Sequence, residues 1–325
     1  MDSEKVSELV RHSVRIIEAG QAESGAYLAG PAFPTYQYSW FRDGSFIADA
    51  MSRTGHVQSA ELFFEWAKGV IVTRREKIRA GEILHTRYTA EGAESTEAWA
   101  NYQLDGFGIL IWALYEHSAR HHRSIDGWRE MIELVIEYLE KRWREPTHDW
   151  WEEISGMHPA TLACIYAALT KVGHPLAREV RKSIDLSHAR LDASLIACAT
   201  PFEAVSSEEF APMLKAIEEK LVTPEGGVHR HQEDVYYGGG EWLLLTAFLG
   251  WHYARIGRID DARKKLARVM AHADQEGNLP EQISAHLLNP HALAEWERKW
   301  GPSAKPLLWS HAMFMTLVHE LADRL

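Results

Sequence analysis

The first twenty residues, MDSEKVSELVRHSVRIIEAG (1–20), set Val6, Val10, Val14 and Ile17 four, four and three positions apart and end on a glycine. That spacing is the apolar face of an α-helix, and Gly20 stands where a helix commonly stops. The same period runs through Ile132, Leu134, Val135, Tyr138 and Leu139 and recurs almost everywhere else. Gly55, Gly173 and Gly257, with Pro175, Pro201, Pro224 and Pro306, punctuate the helical segments. Counting between these stops gives roughly eleven to thirteen helices. The alternation in ILHTRY (83–88) is the single strand-like stretch, read as a small β-ribbon in a loop. The fold class is all-α, with no parallel sheet signalled. No Pro/Ser/Gly-rich linker divides the chain, and about 27 residues per helix and connection suit one closed toroid of helices. An open solenoid of helical hairpins is disfavoured, because the segments share no repeated pattern.

With 325 residues, 46% of them hydrophobic, the chain is long enough for about two domains or one large repetitive one. Its net charge of −11 and lack of any long Lys/Arg tract argue against a nucleic-acid partner. The N-terminus has no basic region followed by an apolar core and cleavage site, so the sequence predicts a cytoplasmic protein. No apolar run approaches the ~18 residues of a membrane span. The nearest, from Trp242 to Trp251, falls well short, so no membrane partner is expected. Cys164 and Cys198 sit in apolar surroundings without C-x-x-C spacing and read as buried free thiols. Phosphate-loop, dinucleotide, serine-hydrolase and zincin motifs are all missing from the sequence. His117, His121 and His122 have helical metal-like spacing but lie in a polar stretch, EHSARHHRS, which reads as a solvated helix end. No metal and no cofactor is assigned.

Acidic residues embedded among aromatics recur at predicted junctions between a loop and the next helix. The strongest instance is Asp149-Trp150-Trp151-Glu152-Glu153. Taken singly it is explained by an acidic first turn before a helix over 160–169, with its aromatics simply packing. A second segment, 36–44, places Arg42-Asp43 after Tyr36, Tyr38 and Trp40, and its plainer reading is a buried cap on a helix over 46–51. A third joins Trp99, Tyr102, Gln103, Asp105 and Gly106; a fourth joins Arg230, Glu233, Asp234, Tyr236, Tyr237, three glycines and Trp242. A fifth sets Glu281 between Pro280 and Gln282. Five such clusters in one helical chain point to a neutral polyhydroxylated ring, which needs aromatic platforms with carboxylates and arginines beside them. The implied partner is a small-molecule sugar.

Cleaving a glycosidic bond takes one protonated carboxyl to give a proton to the leaving oxygen and a second carboxylate that acts on water or on carbon. Trp150 and Trp151 are placed to desolvate a neighbouring carboxyl and raise its pKa, whereas Glu281, beside Gln282 and Asn278, is expected to stay ionised. If 149–153 forms a helical turn, Glu152 and Glu153 point about 100° apart and cannot share one role.

These residues resemble glycoside hydrolase family 15, the glucoamylase-like inverting α-glucosidases. The resemblance is ordered along the chain from Tyr36 to Trp309. Y-x-x-x-W-x-R-D is matched by Tyr36, Trp40, Arg42 and Asp43, and W-x5-D-G by Trp99, Asp105 and Gly106. D-x-W-E-E is matched by Asp149, Trp151, Glu152 and Glu153, and R-x-P-E-D-x-Y-Y by Arg230, Glu233, Asp234, Tyr236 and Tyr237, with Trp242 following. Pro280-Glu281-Gln282 matches S-E-Q, and Trp309-Ser310-His311 the closing W-S-Y. The resemblance implies an (α/α)6 barrel over 1–325, with neither an N-terminal β-sandwich nor a carbohydrate-binding module. It implies Glu152 as general acid, Glu281 as general base and Glu153 as a substrate-binding neighbour. Arg42 and Asp43 would hold hydroxyls of the nonreducing-end glucose with Tyr36 and Trp40 beside the ring. Asp105 and Trp151 join the binding set, and Arg230, Trp99, Tyr236 and Trp242 shape the mouth and the leaving-sugar subsite.

The sequence departs from the family pattern at Gln232, Pro280, His311 and the Gly238–Gly240 run, which bears on the leaving-sugar side more than on the chemistry. The implied activity is exo-acting release of β-glucose from short α-glucosides of the maltose or isomaltose type. A trehalase of the same family is the nearest alternative, and a catalytically inactive sugar-binding barrel a further one.

Overall fold

In the computed structural model, which describes residues 3–322, outer and inner helical segments alternate along the chain around a ring. The outer ones are α1 (Ser3–Ala19), α3 (Val57–Val72) followed by the short α4 (Arg75–Ala80), α6 (Arg129–Arg142), α8 (Ala177–Lys182), α9 (Ser207–Lys220) and α11 (Ile259–Met270). The inner ones are α2 (Phe41–Arg53), α5 (Asp105–His121), α7 (Pro159–Lys171), a 3-10 segment, Ala193–Cys198, α10 (Leu243–Arg255) and α13 (Leu308–Glu320), with α12 (Pro290–Trp300) inserted before the last. Each inner element packs on the outer helix that follows it, α2 on α3, α5 on α6, α7 on α8, 193–198 on α9 and α10 on α11, and α13 packs on α1. The six inner elements close on themselves: α2 packs on α5, α5 on α7, α7 on 193–198, that segment on α10, α10 on α13, and α13 back on α2. This is the (α/α)6 barrel.

Hydrophobic patterning decides which helix goes where. The inner α2, α10 and α13 are buried almost from end to end. The outer α1 buries one stripe through Val6, Leu9, Val14 and Ile17. Gly108 brings α5 and α7 close, since a Cβ there would lie 2.4 Å from the Cys164 carbonyl oxygen.

Aromatic rings fill the axis. Phe46 stacks on Trp309 with centroids 5.6 Å apart and also meets Trp112, Trp150, Phe202 and Phe248. All five inner α-helices run away from the same end of the ring, so their N-termini and the loops before them converge above this plug. Two-residue antiparallel ribbons staple those loops: β1 (Ser39–Trp40) to β2 (Arg87–Tyr88), β3 (Thr147–His148) to β4 (Ser155–Gly156), and β5 (Glu241–Trp242) to β6 (Gln282–Ile283). The ribbon expected over 83–88 is present only at its end. The other two are too short to leave an alternating signature.

Two expectations change. Residues 149–153 form the turn between β3 and β4, not the first turn of a helix; α7 starts at Pro159. His117 is fully buried, with Nδ1 3.0 Å from Ser52 Oγ, so the solvated helix end is confined to the last residues of α5 and its exposed C-cap His122. Cys164 and Cys198 are buried free thiols. Among the described residues no helix is long and apolar enough to cross a membrane.

If the plug holds the ring together, Phe46→Ala should cost about 3–5 kcal/mol. Urea unfolding should show a much lower midpoint, while Leu62→Ala, at a 42% exposed position, should leave it within error.

Candidate active site

A cavity of about 480 Å³ opens above the aromatic plug, where Trp150 and Trp309 form part of its wall and floor. Tyr36, Trp40, Arg42, Asp43, Trp99, Trp151, Glu152, Glu153, Arg230, Tyr236, Trp242 and Glu281 all line it. Residues up to 245 positions apart in sequence thus meet at one end of the ring.

Arg42 sits in the first turn of α2, buried, and is fixed from α5 and the preceding loop. Its Nη1 donates to Asp105 Oδ2 at 2.9 Å and to Gln103 Oε1 at 2.7 Å. Burial by itself would lower the Arg42 pKa, but Asp105, Asp43 and Glu152 hold it raised. Asp105 is fully buried and does not reach the cavity, so its expected role in touching substrate is corrected to anchoring Arg42. Asp43 is raised to about 7, chiefly by burial and against the pull of Arg42. Its Oδ2 has no hydrogen-bond partner among the described residues.

The two adjacent glutamates differ sharply. Glu152 adopts a left-handed backbone at φ 67, a cost that non-glycine residues bear mainly at functional positions. The turn is held because Asp149 Oδ1 accepts from the Glu153 and Ile154 N–H groups. Glu152 Oε1 accepts from Trp40 Nε1 at 2.7 Å and Gln103 Nε2 at 2.9 Å. The indole at this carboxyl is therefore Trp40, where Trp150 and Trp151 were expected. Trp150 lies in the plug, stacked on Phe248, and Trp151 Nε1 donates to Asp192. Glu153, in contrast, has both oxygens engaged: Oε1 by Arg230 at 2.7 Å and Oε2 by His231 at 3.0 Å. Burial would raise Glu153, but His231 and Arg230 overcome it and hold it down at about 2.

Arg230 mirrors Arg42 on the far side of the ring. It is buried and bound through two nitrogens to Asp234, with its guanidinium 4.6 Å from the Trp242 ring centre. Trp242 Nε1 donates to Asp234 in turn.

Glu281 enters just before β6, on a strand held from three sides: its N–H donates to the Ala304 carbonyl, its carbonyl accepts from Leu243, and Ser310 Oγ donates to the Pro280 carbonyl. His311 completes the support. Its Nε2 accepts from the Leu279 N–H, so its Nδ1–H donates to Ser13, and burial holds its pKa down at about 3. The departure at His311 therefore bears on the Glu281 loop and not on the leaving-sugar side. Tyr36 donates to Glu281 Oε1 at 3.0 Å and lies 2.9 Å from the Tyr236 hydroxyl. Glu281 Oε2 has no partner among the described residues. Burial outweighs Tyr36 and Arg230 and pushes Glu281 up to about 8, against the expectation that polar neighbours keep it ionised.

Several lining residues escaped the sequence reading. Trp296, Lys299 and Trp300 come from α12, which has no buried residue of its own yet walls the mouth; Trp296 packs edge-on to Tyr236. Gln103, His231 and Arg190 act behind the lining. Two groupings have the residue types of a cation site. In Glu153–His231–Asp234 the Arg230 guanidinium already bridges the two carboxylates. In Glu225–Glu241–His286 both imidazole nitrogens already face carboxylate oxygens, at 2.5 and 2.6 Å.

A helical toroid whose aromatic-walled cavity gathers carboxylates in contrasting environments defines a glycoside hydrolase. The pattern described as "Glycosyl hydrolases family 15" matches residues 8–200. An isomaltose glucohydrolase from Kribbella flavida is 37% identical over 98% of this chain and 93% of its own length. The chain belongs to glycosyl hydrolase family 15. A solved glycosidase variant in complex with glucose superposes with a TM-score of 0.94 at 37% identity, covering 99% of each chain. A glucoamylase from Saccharomycopsis fibuligera shares the fold at 15% identity, with a TM-score of 0.77 over 98% of this chain and 95% of that one.

A carboxyl whose folded pKa is raised favours folding below its unfolded pKa, and that contribution is lost as pH rises through the folded value. Removing the buried charge by Glu281→Gln should therefore raise the Tm relative to wild type more at pH 8 than at pH 5. An equal shift at both pH values would mean that Glu281 titrates like an exposed glutamate.

Proposed function

We propose that the protein is an exo-acting, inverting α-glucosidase that releases β-glucose from the nonreducing end of short α-glucosides, with isomaltose-type and maltose-type substrates foremost. The (α/α)6 ring constitutes its catalytic domain, and the working site is the cavity at the N-terminal ends of the inner helices.

The unequal treatment of the paired glutamates carries this reading. Glu153 is held ionised with both oxygens occupied, so it is unsuited to give a proton. Glu152 has only Oε1 engaged, leaving the other oxygen to protonate the glycosidic oxygen. Glu281, with one oxygen on Tyr36 and the other unpartnered, takes the proton of the attacking water. The two carboxyls are tethered to different rings, Glu152 to Trp40 and Glu281 to Tyr36, whose centroids are 5.9 Å apart. A water-mediated displacement requires the two carboxyls to stand ~6.5–9.5 Å apart. Arg42 and Asp43 bind hydroxyls of the terminal glucose. Because the plug closes the cavity from below, a chain end enters and an internal segment does not. On the leaving side Trp242, Trp296, Trp300 and Lys299 meet the second sugar. The name of the Kribbella relative supports isomaltose as a substrate.

Glucose release from maltose, isomaltose, nigerose, kojibiose and trehalose tests the activity; silence on all five would contradict it. On the productive substrate, Glu152→Gln should lower kcat by about 10²–10⁴ while sparing α-glucosyl fluoride, whose leaving group needs little protonation. Glu153→Gln should act mainly on KM. Exchanged phenotypes would move the acid by one residue. In the free enzyme, kcat/KM should rise with pH as Glu281 ionises near the value of about 8, well above the usual carboxylate range.

A further inference from the structure

Behind Glu153 the buried imidazole of His231 is bonded through both ring nitrogens. Its Nδ1 lies 2.9 Å from Arg190 Nη2 and its Nε2 3.0 Å from Glu153 Oε2. A guanidinium carries only donors. Nδ1 must therefore accept through its lone pair, which leaves the ring one proton, on Nε2, to donate to Glu153. While Arg190 stays in place, His231 is held as the Nε2–H tautomer.

We infer that Arg190 and His231 are positioning residues for hydrolysis, a pair that fixes Glu153 as a permanent hydrogen-bond acceptor and so leaves Glu152 as the sole proton carrier of the two. The inference rests on the proposed role of Glu152. Its physical basis is that neighbouring carboxyls can share one proton, with apparent pKa values belonging to the pair. A productive acid needs that proton on one member only. Arg230 engages Glu153 Oε1, and without His231 the second oxygen would be free to hold a proton. The low pKa of Glu153 accords with two donors on one carboxylate.

The surrounding charges are accounted for. Arg190 is itself held by Glu233 at 3.0 Å, and Glu233 lies 3.7 Å from His231 Nδ1. Asp192 faces the ring from the start of the 193–198 segment, with its carboxylate already accepting from the Ser194 N–H and Trp151 Nε1. Asp234 is bound to Arg230. None of these supplies a proton to Nδ1. Arg190 and His231 carry no aromatic-acidic signature of their own and meet only through loops 41 residues apart.

The test uses the full chain with isomaltose as substrate. Long-range ¹⁵N–¹H correlation spectra of the histidine-labelled protein, with the His231 signal assigned by its loss in His231→Gln, should show Nδ1 unprotonated and Nε2 protonated. Arg190→Met should release Nδ1 from its acceptor role and let the Nδ1–H tautomer appear. His231→Leu should raise KM about tenfold with kcat changed less than about threefold. It should also steepen the acid side of log kcat/KM from one proton to two below about pH 5, where Glu153 would begin to protonate. His231→Gln, whose amide N–H can replace Nε2–H, should return both to near wild type. An imidazolium or an Nδ1–H tautomer in the wild type would overturn the inference. So would a leucine variant with unchanged slope and KM, or a glutamine variant as impaired as leucine. Failure of the wild type to cleave isomaltose would count against the proposed function, and the tautomer spectra would still decide this inference.

Discussion

The pocket hangs on Arg42. Its guanidinium, buried at the first turn of α2, is held by Asp105 at the first turn of α5 and by Gln103 just before it. Burying a guanidinium is costly without charged and polar partners, and here Nη1 carries both bonds while Nε has no hydrogen-bond partner among the described residues. Meeting that demand draws two neighbouring inner helices into register at one end of the ring. Gln103 then passes the constraint on, because its amide nitrogen donates to Glu152 while its oxygen accepts from Arg42. The proposed proton donor is thus positioned by the same residue that helps lock α2 to α5.

Across the cavity Arg230 does the corresponding work for Asp234, Trp242 and Glu153. The two arginines partition the acidic groups. Glu153 falls to Arg230 and His231, whereas Asp43 and Glu281 keep unpartnered oxygens and raised pKa values. Holding two such carboxyls in a buried site costs stability, the usual trade of an enzyme that stores unsatisfied polar groups where substrate hydroxyls and water will sit.

The sequence made much of this legible, and particular residues show where legibility stopped. The inner helices announce themselves by apolar residues on every face, and the catalytic loops by carboxylates next to tryptophans. Of the site residues named from sequence, Asp105 alone does not line the cavity, because its acid-after-aromatic context is the same whether it faces sugar or arginine. The environment of each carboxyl was not legible. Trp150 and Trp151 adjoin Glu152 in sequence, yet Trp40, 112 positions away, is the indole that touches it. The turn at 149–153 is set by Asp149 capping its own loop, a choice that competes with helix and carries the same residue types. His231, Arg190 and the wall from α12 depend on long-range contacts between loops, which no local period encodes. The fourth outer helix, α8, is likewise only six residues long and the inner element after it is a 3-10 segment, so neither has a helical stretch long enough to read.

In the proposed mechanism, water activated by Glu281 attacks the sugar as Glu152 protonates the leaving oxygen. Proton NMR of the first minutes of isomaltose hydrolysis tests that arrangement directly. Inversion predicts that the anomeric signal of β-glucose from the nonreducing end appears first, with further α-anomer arising only by mutarotation. Initial release of that glucose as the α-anomer would require a covalent intermediate, placing the two carboxyls ~5–5.5 Å apart, and would contradict the role given to Glu281.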